Sequence, residues 1–300
     1  MKKLLVSLLC TSLFTLGISA HGDNSHFLEK QDITVKVAKV SGNVYMLQGR
    51  GGNIGAITGA DGILIIDDDY KAVSEKLRDA LKGLGSPTPR YIINTHWHGD
   101  HTEGNAFFGK TATIVAHANV RKRLLDPPVI FGEVTAPYVS HALPVVTYTE
   151  SMSLHLNGED IKIVHYPNGH TDGDSVVFFK NANVVHLGDD LFVGAFPFVD
   201  LDSGGSVQGL IANVRSLIST LPKDAKLIPG HGPLATLDDL KTFEQVLTET
   251  SKIVEEQMKA GKTLDEIKKA GLPEKYSSYG TGFVKTDFWI EILHRSYAKK

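Results

Sequence analysis

The spacing of apolar residues along the chain changes several times, from patterns typical of β-strands to patterns typical of helices. Residues 33–40, 44–47, 54–58 and 63–66 are rich in apolar and β-branched side chains and are separated by Gly-containing turns, which predicts four β-strands. Apolar residues then recur at near-helical spacing over 71–84, before the Gly- and Pro-containing stretch 83–87. This spacing predicts a helix that ends there.

Strand and helix patterns continue along the rest of the chain. Strands are predicted at 113–116, 145–149, 153–156, 160–166 and 175–179, and we expect the last four to form an antiparallel meander. Helices are predicted up to Leu125, over 206–221 with Ser206 as N-cap, over 237–258, and after the capping-box pair Thr263 and Glu266. No repeat or linker interrupts this order, so we expect one domain of α+β class over residues 21–300.

Two segments show neither pattern. Residues 126–144 contain four prolines, which excludes a helix or a central strand, and a loop of this length in a compact domain is usually functional or disordered. We expect it to border an active site, with a simple surface excursion as the alternative. Residues 191–205 include Phe192, Phe196 and Phe198, which either form an apolar wall for a substrate or pack in the core.

The N-terminal residues have the order of a signal peptide. Lys2 and Lys3 precede an uncharged apolar run that ends at Ser19-Ala20, which predicts cleavage near Ala20 and a periplasmic or secreted protein without a membrane anchor. Cleavage of residues 1–20 would remove the one cysteine, Cys10, and move the formal net charge from −3 to −5. Because there is no basic surplus, we expect no nucleic acid partner.

The stretch Thr95-His96-Trp97-His98-Gly99-Asp100-His101 follows a predicted strand and is chemically the most distinctive part of the chain. Zinc binds neutral imidazole nitrogen and carboxylate oxygen at about 2.0–2.2 Å. On an extended backbone His96 and His98 project to the same side, and a positive φ at Gly99 would bring Asp100 and His101 against them. The spacing predicts a metal site, and the number of donors favours two ions.

Three later residues could complete such a site. His170 and His231 each lie in a Gly-containing loop beside a predicted strand, and Asp189 follows Gly188 at the end of an apolar strand. Loops at strand ends commonly carry binding and catalytic residues. The histidines without such a context, expected at the surface or in hydrogen bonds of the core, are His117, His141, His155, His165 and His294.

With this ordered set, the chain resembles the metallo-β-lactamase-fold hydrolase superfamily, through the HxHxDH motif at 96–101 and the downstream His, Asp and His. The resemblance implies an αββα sandwich, in which helices cover two central sheets, and a cofactor of two Zn2+. It implies one ion bound by His96, His98 and His170, a second bound by Asp100, His101 and His231, and a bridging Asp189. Asp67 matches an acidic position that supports the metal-binding loop, and a strand-terminating turn residue is the equal alternative.

Asp189 bears on the substrate that the resemblance implies. Thioesterases of the glyoxalase II kind and acyl-homoserine lactonases carry a bridging Asp, whereas the best-known β-lactamases of this fold carry Cys or a small hydroxyl residue. The Tyr that lactonases place shortly after this Asp is absent from the following Asp190-Leu191-Phe192-Val193.

The activity implied is hydrolysis of a small-molecule carbonyl substrate by a metal-bound hydroxide, with Asp100 as a proton relay. β-Lactam hydrolysis is one expected activity. The alternatives are a lactonase, a thioesterase, or a metal-binding protein without enzymatic activity. No Lys or Arg that would bind a substrate carboxylate is identified from the sequence, which is the largest gap in a β-lactamase assignment.

Overall fold

The computed structural model describes residues 33–129, 132 and 134–298, so the signal peptide predicted for residues 1–20 lies outside the described part. The strands are β1 (Lys36–Ser41), β2 (Val44–Gln48), β3 (Ile54–Ile57), β4 (Leu64–Ile66), β5 (Tyr91–Asn94), β6 (Thr113–His117), β7 (Val146–Tyr148), β8 (Ser151–Leu156), β9 (Glu159–His165), β10 (Ser175–Phe179), β11 (Val184–Phe192) and β12 (Lys226–His231). The α-helices are α1 (Ser74–Gly83), α2 (Gly99–Thr102), α3 (Asn105–Phe108), α4 (Ala118–Leu125), α5 (Val207–Thr220), α6 (Leu237–Lys259), α7 (Leu264–Ala270) and α8 (Thr286–Ala298).

The helix starts follow the capping signals of the sequence. The Ser206 side chain accepts a hydrogen bond from the backbone N–H of Gly209 at the start of α5. Capping boxes at Thr236 and Thr263 begin α6 and α7, where they satisfy backbone N–H groups that a helix leaves unpaired. Among the described helices, none is both long enough and apolar enough to cross a membrane.

The strands form two mixed sheets. Seven strands follow the order β1 to β7, antiparallel as far as β4 and parallel from β4 onward. The other sheet has the order β12-β11-β10-β9-β8, in which β11 and β12 are parallel and the other pairs antiparallel.

The predicted meander is wrong at its first strand. β8, β9 and β10 are antiparallel neighbours as expected, but β7 lies parallel to β6 in the other sheet. A parallel pair requires a crossover connection, and α4 with the segment that follows it provides the length for one. The pattern of β7 predicted a strand but contained nothing that selected its partner.

Three apolar layers hold the sheets and helices together. Leu64 and Ile66 of β4 belong to the cluster between the sheets, with Ile163 and Val177 of the second sheet. Ile65, which points the opposite way because strand side chains alternate, packs in the cluster that contains Leu77 and Leu81 of α1. On the outer side of the second sheet, a third cluster contains Leu210, Phe243 and Trp289 from α5, α6 and α8. The arrangement is an αββα sandwich, as predicted.

Candidate metal centre

The structure brings the seven predicted ligands together near the ends of β5, β11 and β12. They form two groups, and within each group the ligand atoms lie within 4.8 Å of one another. The first group is His96, His98, His170 and Asp189, all of them buried, and the second is Asp100, His101 and His231. The histidines expected to lie elsewhere belong to neither group.

Asp189 lies between the two groups, with one carboxylate oxygen directed to each. Its Oδ2 is 3.2 Å from Nε2 of His170 and 3.8 Å from Nε2 of His96. Its Oδ1 is 3.1 Å from Nε2 of His101 and 3.5 Å from Nε2 of His231. A carboxylate in this position could contact a cation held by either group.

The backbone conformation at these residues differs from the sequence-based prediction in three places. Gly99 does not adopt a positive φ; it begins the single helical turn α2, which returns Asp100 and His101 toward the preceding histidines. His231, which was expected in a loop, is the last residue of β12, and Asp189, which was expected at the end of a strand, lies within β11. Gly188, next to Asp189, has a φ of 51°, and a Cβ there would lie 2.9 Å from the Thr95 side chain.

Asp67 has both of the roles considered for it: it ends a strand, and it supports the metal-binding loop. Its φ of 63° ends β4 in the left-handed region. Its Oδ1 accepts a hydrogen bond from the Thr95 backbone N–H at 2.7 Å, and its Oδ2 accepts from Thr95 Oγ1 and from His101 Nδ1, each at 2.7 Å. The carboxylate therefore orients both the loop and the imidazole of His101.

The hydrogen bonds around the imidazoles determine which ring nitrogens carry lone pairs. His170 Nδ1 donates to the Phe198 carbonyl at 2.6 Å, and His98 Nε2 donates to Asp200 Oδ2 at 3.1 Å. The other nitrogens, His170 Nε2 and His98 Nδ1, then present lone pairs to each other at 2.8 Å. Two lone pairs at this distance repel unless a proton or a cation lies between them.

Two buried atoms also have the character of metal ligands. His101 Nε2 and Asp189 Oδ1 lie 3.1 Å apart, but neither forms a hydrogen bond of normal geometry with the other or with a further group, and buried polar atoms of this kind are normally paired. Imidazole nitrogens with carboxylate oxygens suit zinc and similar divalent metals. The donor set and its unpaired atoms therefore fit a metal.

The electrostatics of the two groups differ. Burial lowers the pKa of His170 to about 4 and holds the pKa of His96 well below its usual value, so both rings are neutral and able to bind a metal. Burial opposes a charge on His101 as well, but Asp189, Asp100 and Asp67 outweigh it and raise its pKa. The carboxylates around His101 therefore favour a positive charge on this side of the centre, which is the charge that a bound cation would supply.

Comparison with known proteins identifies the family. The sequence profile of the metallo-beta-lactamase superfamily matches residues 40–231. The chain belongs to this superfamily. A probable metallo-hydrolase of Bacillus subtilis, YqgX, is 28% identical over 188 residues, which cover 58% of this chain and 85% of the relative.

Two further proteins are similar to this chain, one in sequence and one in structure. A hydroxyacylglutathione hydrolase of Pelagibacter ubique is 26% identical over 147 residues, or 47% of this chain and 51% of the relative. The crystal structure of DIM-1 metallo-beta-lactamase matches with a TM-score of 0.60 at 16% identity, covering 73% of this chain and 100% of that chain, which shows a common fold. Membership supports a metal-dependent hydrolase that acts on a small molecule.

A cavity of about 750 Å³ opens over the two groups of this superfamily member. Both segments without a sequence pattern border it, through Pro127, Thr135 and Tyr138 from the first and through Phe192, Phe196 and Phe198 from the second. The described residues of the 126–144 segment therefore border the cavity, as predicted. Phe196 packs in the core, where its ring stacks on Trp289 with centroids 5.6 Å apart, and it also lines the cavity.

Two residues of the site were not found from the sequence. Asp200 orients His98 from within the 191–205 segment, and Arg50 lines the cavity from the loop between β2 and β3. Neither belongs to a motif or a periodic pattern, and only the tertiary fold brings them to the centre. The one signal for Arg50 is the run Gly49-Arg50-Gly51-Gly52, because glycines often mark a close approach of the backbone.

Proposed function

We propose that this protein is an exported hydrolase that binds two zinc ions and cleaves a small-molecule substrate at a carbonyl carbon. The observation that carries the proposal is Asp189, whose two oxygens face the two groups of ligand atoms separately. Export rests on the signal-peptide pattern of residues 1–20.

Each group of residues has a defined task in this proposal. His96, His98, His170 and Asp189 would hold one ion, and Asp100, His101 and His231, with Asp189, the other. Bound there, zinc supplies a hydroxide nucleophile at neutral pH and polarises the substrate carbonyl. Asp67 and Asp200 keep the rings of His101 and His98 in the orientation that presents a lone pair to the metal.

Asp100 is the residue placed to move a proton. It lines the cavity, and its Oδ2 is 3.2 Å from His231 Nε2. Burial alone would raise the pKa of Asp100, but His101 and His231 outweigh it and lower the pKa to about 2. The carboxylate is therefore ionised at neutral pH, as a metal ligand must be, and we propose the proton relay on its position in the cavity alone.

Two classes of substrate are supported by different observations. A β-lactam is our first candidate, because of the proposed export and the common fold with DIM-1 metallo-beta-lactamase. A thioester or a lactone is the second, supported by the position of Asp189 and by the similarity to a hydroxyacylglutathione hydrolase. A metal-binding protein without enzymatic activity is the remaining alternative.

The test combines metal analysis with turnover. We expect about two zinc ions per chain by mass spectrometry, and hydrolysis of a chromogenic cephalosporin, a homoserine lactone or a thioester. His98→Ala and Asp189→Asn should lower both zinc content and turnover, while His155→Ala, at an exposed histidine, should change neither. Fewer than one bound metal would contradict the proposal; two metals without turnover of any substrate would favour the non-enzymatic alternative.

A further inference from the structure

His231 differs from the other four histidines of the metal centre in how its ring is held. Each of the other four rings makes a hydrogen bond through its second nitrogen, whereas no described residue forms a hydrogen bond with Nδ1 of His231. The ring stacks on Phe192, with centroids 4.9 Å apart, and its Nε2 faces Asp100 and Asp189. The position of this ligand therefore depends mainly on its backbone.

Asn53, which directly precedes β3 of the first sheet, holds that backbone. The residue is buried, with 4% of its surface exposed. Its backbone N–H donates to the Gly230 carbonyl at 2.7 Å, and its Nδ2 donates to the carbonyls of Pro229 and Gly232, each at 2.9 Å. One residue of the first sheet thus forms hydrogen bonds to the backbone on both sides of His231.

The place of β12 in its sheet explains why it needs such partners. Within the described sheets β12 is an edge strand, with β11 as its one neighbour. Pro229 and Gly230 are nevertheless buried, and a buried carbonyl group without a hydrogen bond is unfavourable. Asn53 satisfies these carbonyl groups and, by doing so, determines where the end of β12 lies.

Two neighbours fix Asn53 itself. Gln48 Nε2, at the end of β2, donates to Asn53 Oδ1 and to the Gly232 carbonyl, each at 3.1 Å, so the Asn53 amide is oriented with its Nδ2 toward β12. His186 Nε2 donates to the Asn53 carbonyl at 3.0 Å, while its Nδ1 accepts from the Gly188 N–H at 3.2 Å. Asn53 is therefore held from both sheets.

We infer that Asn53 is a positioning residue for one of the two metal ions. By holding the backbone on both sides of His231, it places this imidazole at the ion that Asp100 and His101 also bind. The other ion does not depend on Asn53, because its histidines have hydrogen-bond partners of their own. The inference rests on the proposed function for the two ions, and it can be measured without turnover.

The test measures both stepwise zinc affinities by competition with a chromogenic chelator. In Asn53→Ala we expect one ion to bind about tenfold more weakly, the lower end of the range for residues that orient ligands because the backbone N–H remains, and the other to bind as in the wild type. Gln48→Ala removes one donor to the Gly232 carbonyl and should weaken the same ion by a smaller factor. Asn43→Ala is the matched control, since its amide donates to the Thr58 carbonyl at 2.7 Å at the opposite end of β2, and it should leave both affinities unchanged.

A double-mutant cycle with His231→Ala tests whether the effect passes through His231. Since His231→Ala already removes the ligand, adding Asn53→Ala should cause no further loss of zinc affinity. A purely structural role of Asn53 predicts instead the same loss in both backgrounds, or equal weakening of both ions. Either result would overturn the inference, and so would unchanged affinities in Asn53→Ala. Gln48→Ala in the same cycle decides the question if Asn53→Ala does not fold.

The zinc content and turnover of the wild type separate the inference from the proposed function. Two bound ions and a selective effect of Asn53→Ala, without turnover of any substrate, would contradict the enzymatic function alone. Two bound ions with turnover, but without a selective effect, would contradict the inference alone. Fewer than one bound metal would contradict both.

Discussion

At the scale of single residues, the ligands of the centre are positioned by partners that lie outside the motif. His101 is oriented by the Asp67 carboxylate, His98 by Asp200, and His170 by the Phe198 carbonyl. A carboxylate partner makes an imidazole more basic and fixes its tautomer, and such partners commonly contribute 10–100-fold to metal affinity. The HxHxDH motif identifies the ligands, but the strength of the site depends on these other residues.

Asp67→Asn tests this dependence. Asn tolerates a positive φ, so β4 should still end in the same conformation, but a single amide oxygen cannot replace two carboxylate oxygens that accept three hydrogen bonds. We expect zinc affinity at the group that contains His101 to fall about 10–100-fold, measured by competition with a chromogenic chelator. Asp238→Asn, at an exposed position of α6, should stay within about twofold, and an unaltered affinity in Asp67→Asn would contradict the prediction.

Asp190 provides a pH-dependent prediction. Its carboxylate is buried without a hydrogen bond of normal geometry. Burial raises the pKa of Asp190 to about 8, the nearby Asn213 amide lowers it in part, and Asp189 raises it further. The ordinary value in an unfolded chain is about 3.9. The folded state therefore binds this proton more tightly, and the contribution of Asp190 to the free energy of unfolding is lost as the pH rises from about 4 to 8.

Asp190→Asn should remove this pH-dependent loss of stability. In the metal-free protein, we expect the free energy of unfolding of the variant to gain on that of the wild type as the pH rises from 5 to 8. Urea unfolding at both pH values measures the difference. Asp224→Asn, at an exposed aspartate, is the control: its free energy of unfolding should differ from that of the wild type by the same amount at both pH values. If Asp190→Asn behaved in the same way, the prediction that the raised pKa of Asp190 lowers stability at pH 8 would be wrong.

At the scale of elements, the site depends on strands that approach closely where they end. Gly188 in β11 and Gly230 in β12 lie side by side, because a Cβ on Gly230 would be 2.6 Å from the Gly188 carbonyl oxygen and 2.0 Å from Asp189 Oδ1. β11 and β12 pair in parallel at Gly188 with Pro229 and again at Phe192 with His231, and the register shifts between these two pairs. Because Gly230 has no side chain, β11 and β12 can lie close enough together to place Asp189 and His231 in the same centre.

Gly230→Ala should therefore damage the centre through the backbone. The added methyl group forces β11 and β12 apart next to two ligands, and a misplacement of about 1 Å commonly costs about 100-fold in rate. We expect a loss of this order in kcat/KM for whichever substrate is hydrolysed, together with reduced zinc content. Gly83→Ala in α1 is the control, since its Cβ would meet no atom within 4 Å and alanine favours the helix. Equal activity of the two variants would refute the explanation.

At the scale of the whole molecule, the sequence predicts what is local and repeated, and misses what depends on distant contacts. The caps at Ser206 and Thr263 and the strong strand patterns were predicted because each signal lies within a few residues of its effect. The partner of β7 was missed because an exposed edge strand of three residues has no pattern that selects a sheet. Arg50 was missed for a related reason: its role depends on a loop position that only the fold determines.

The centre also joins the two halves of the sandwich. His96, His98, Asp100 and His101 follow β5 of the first sheet, whereas Asp189 and His231 belong to β11 and β12 of the second. His170 lies in the connection between β9 and β10. A bound cation would therefore connect the sheets across the edge of the core, and without it the lone pairs of His170 Nε2 and His98 Nδ1 face each other at 2.8 Å.

Metal removal should consequently destabilise the entire domain. A ligand at about 1,000 times its dissociation constant stabilises the folded state by about 4.1 kcal/mol, and about 1 kcal/mol corresponds to roughly 2–4 °C in Tm for a domain of comparable size. We expect a chelator to lower Tm by about 10 °C in scanning calorimetry, and zinc to restore it. His98→Ala should show a much smaller shift, and His155→Ala the full one. If chelation left the Tm of the wild type unchanged, no tightly bound metal could be joining the two sheets.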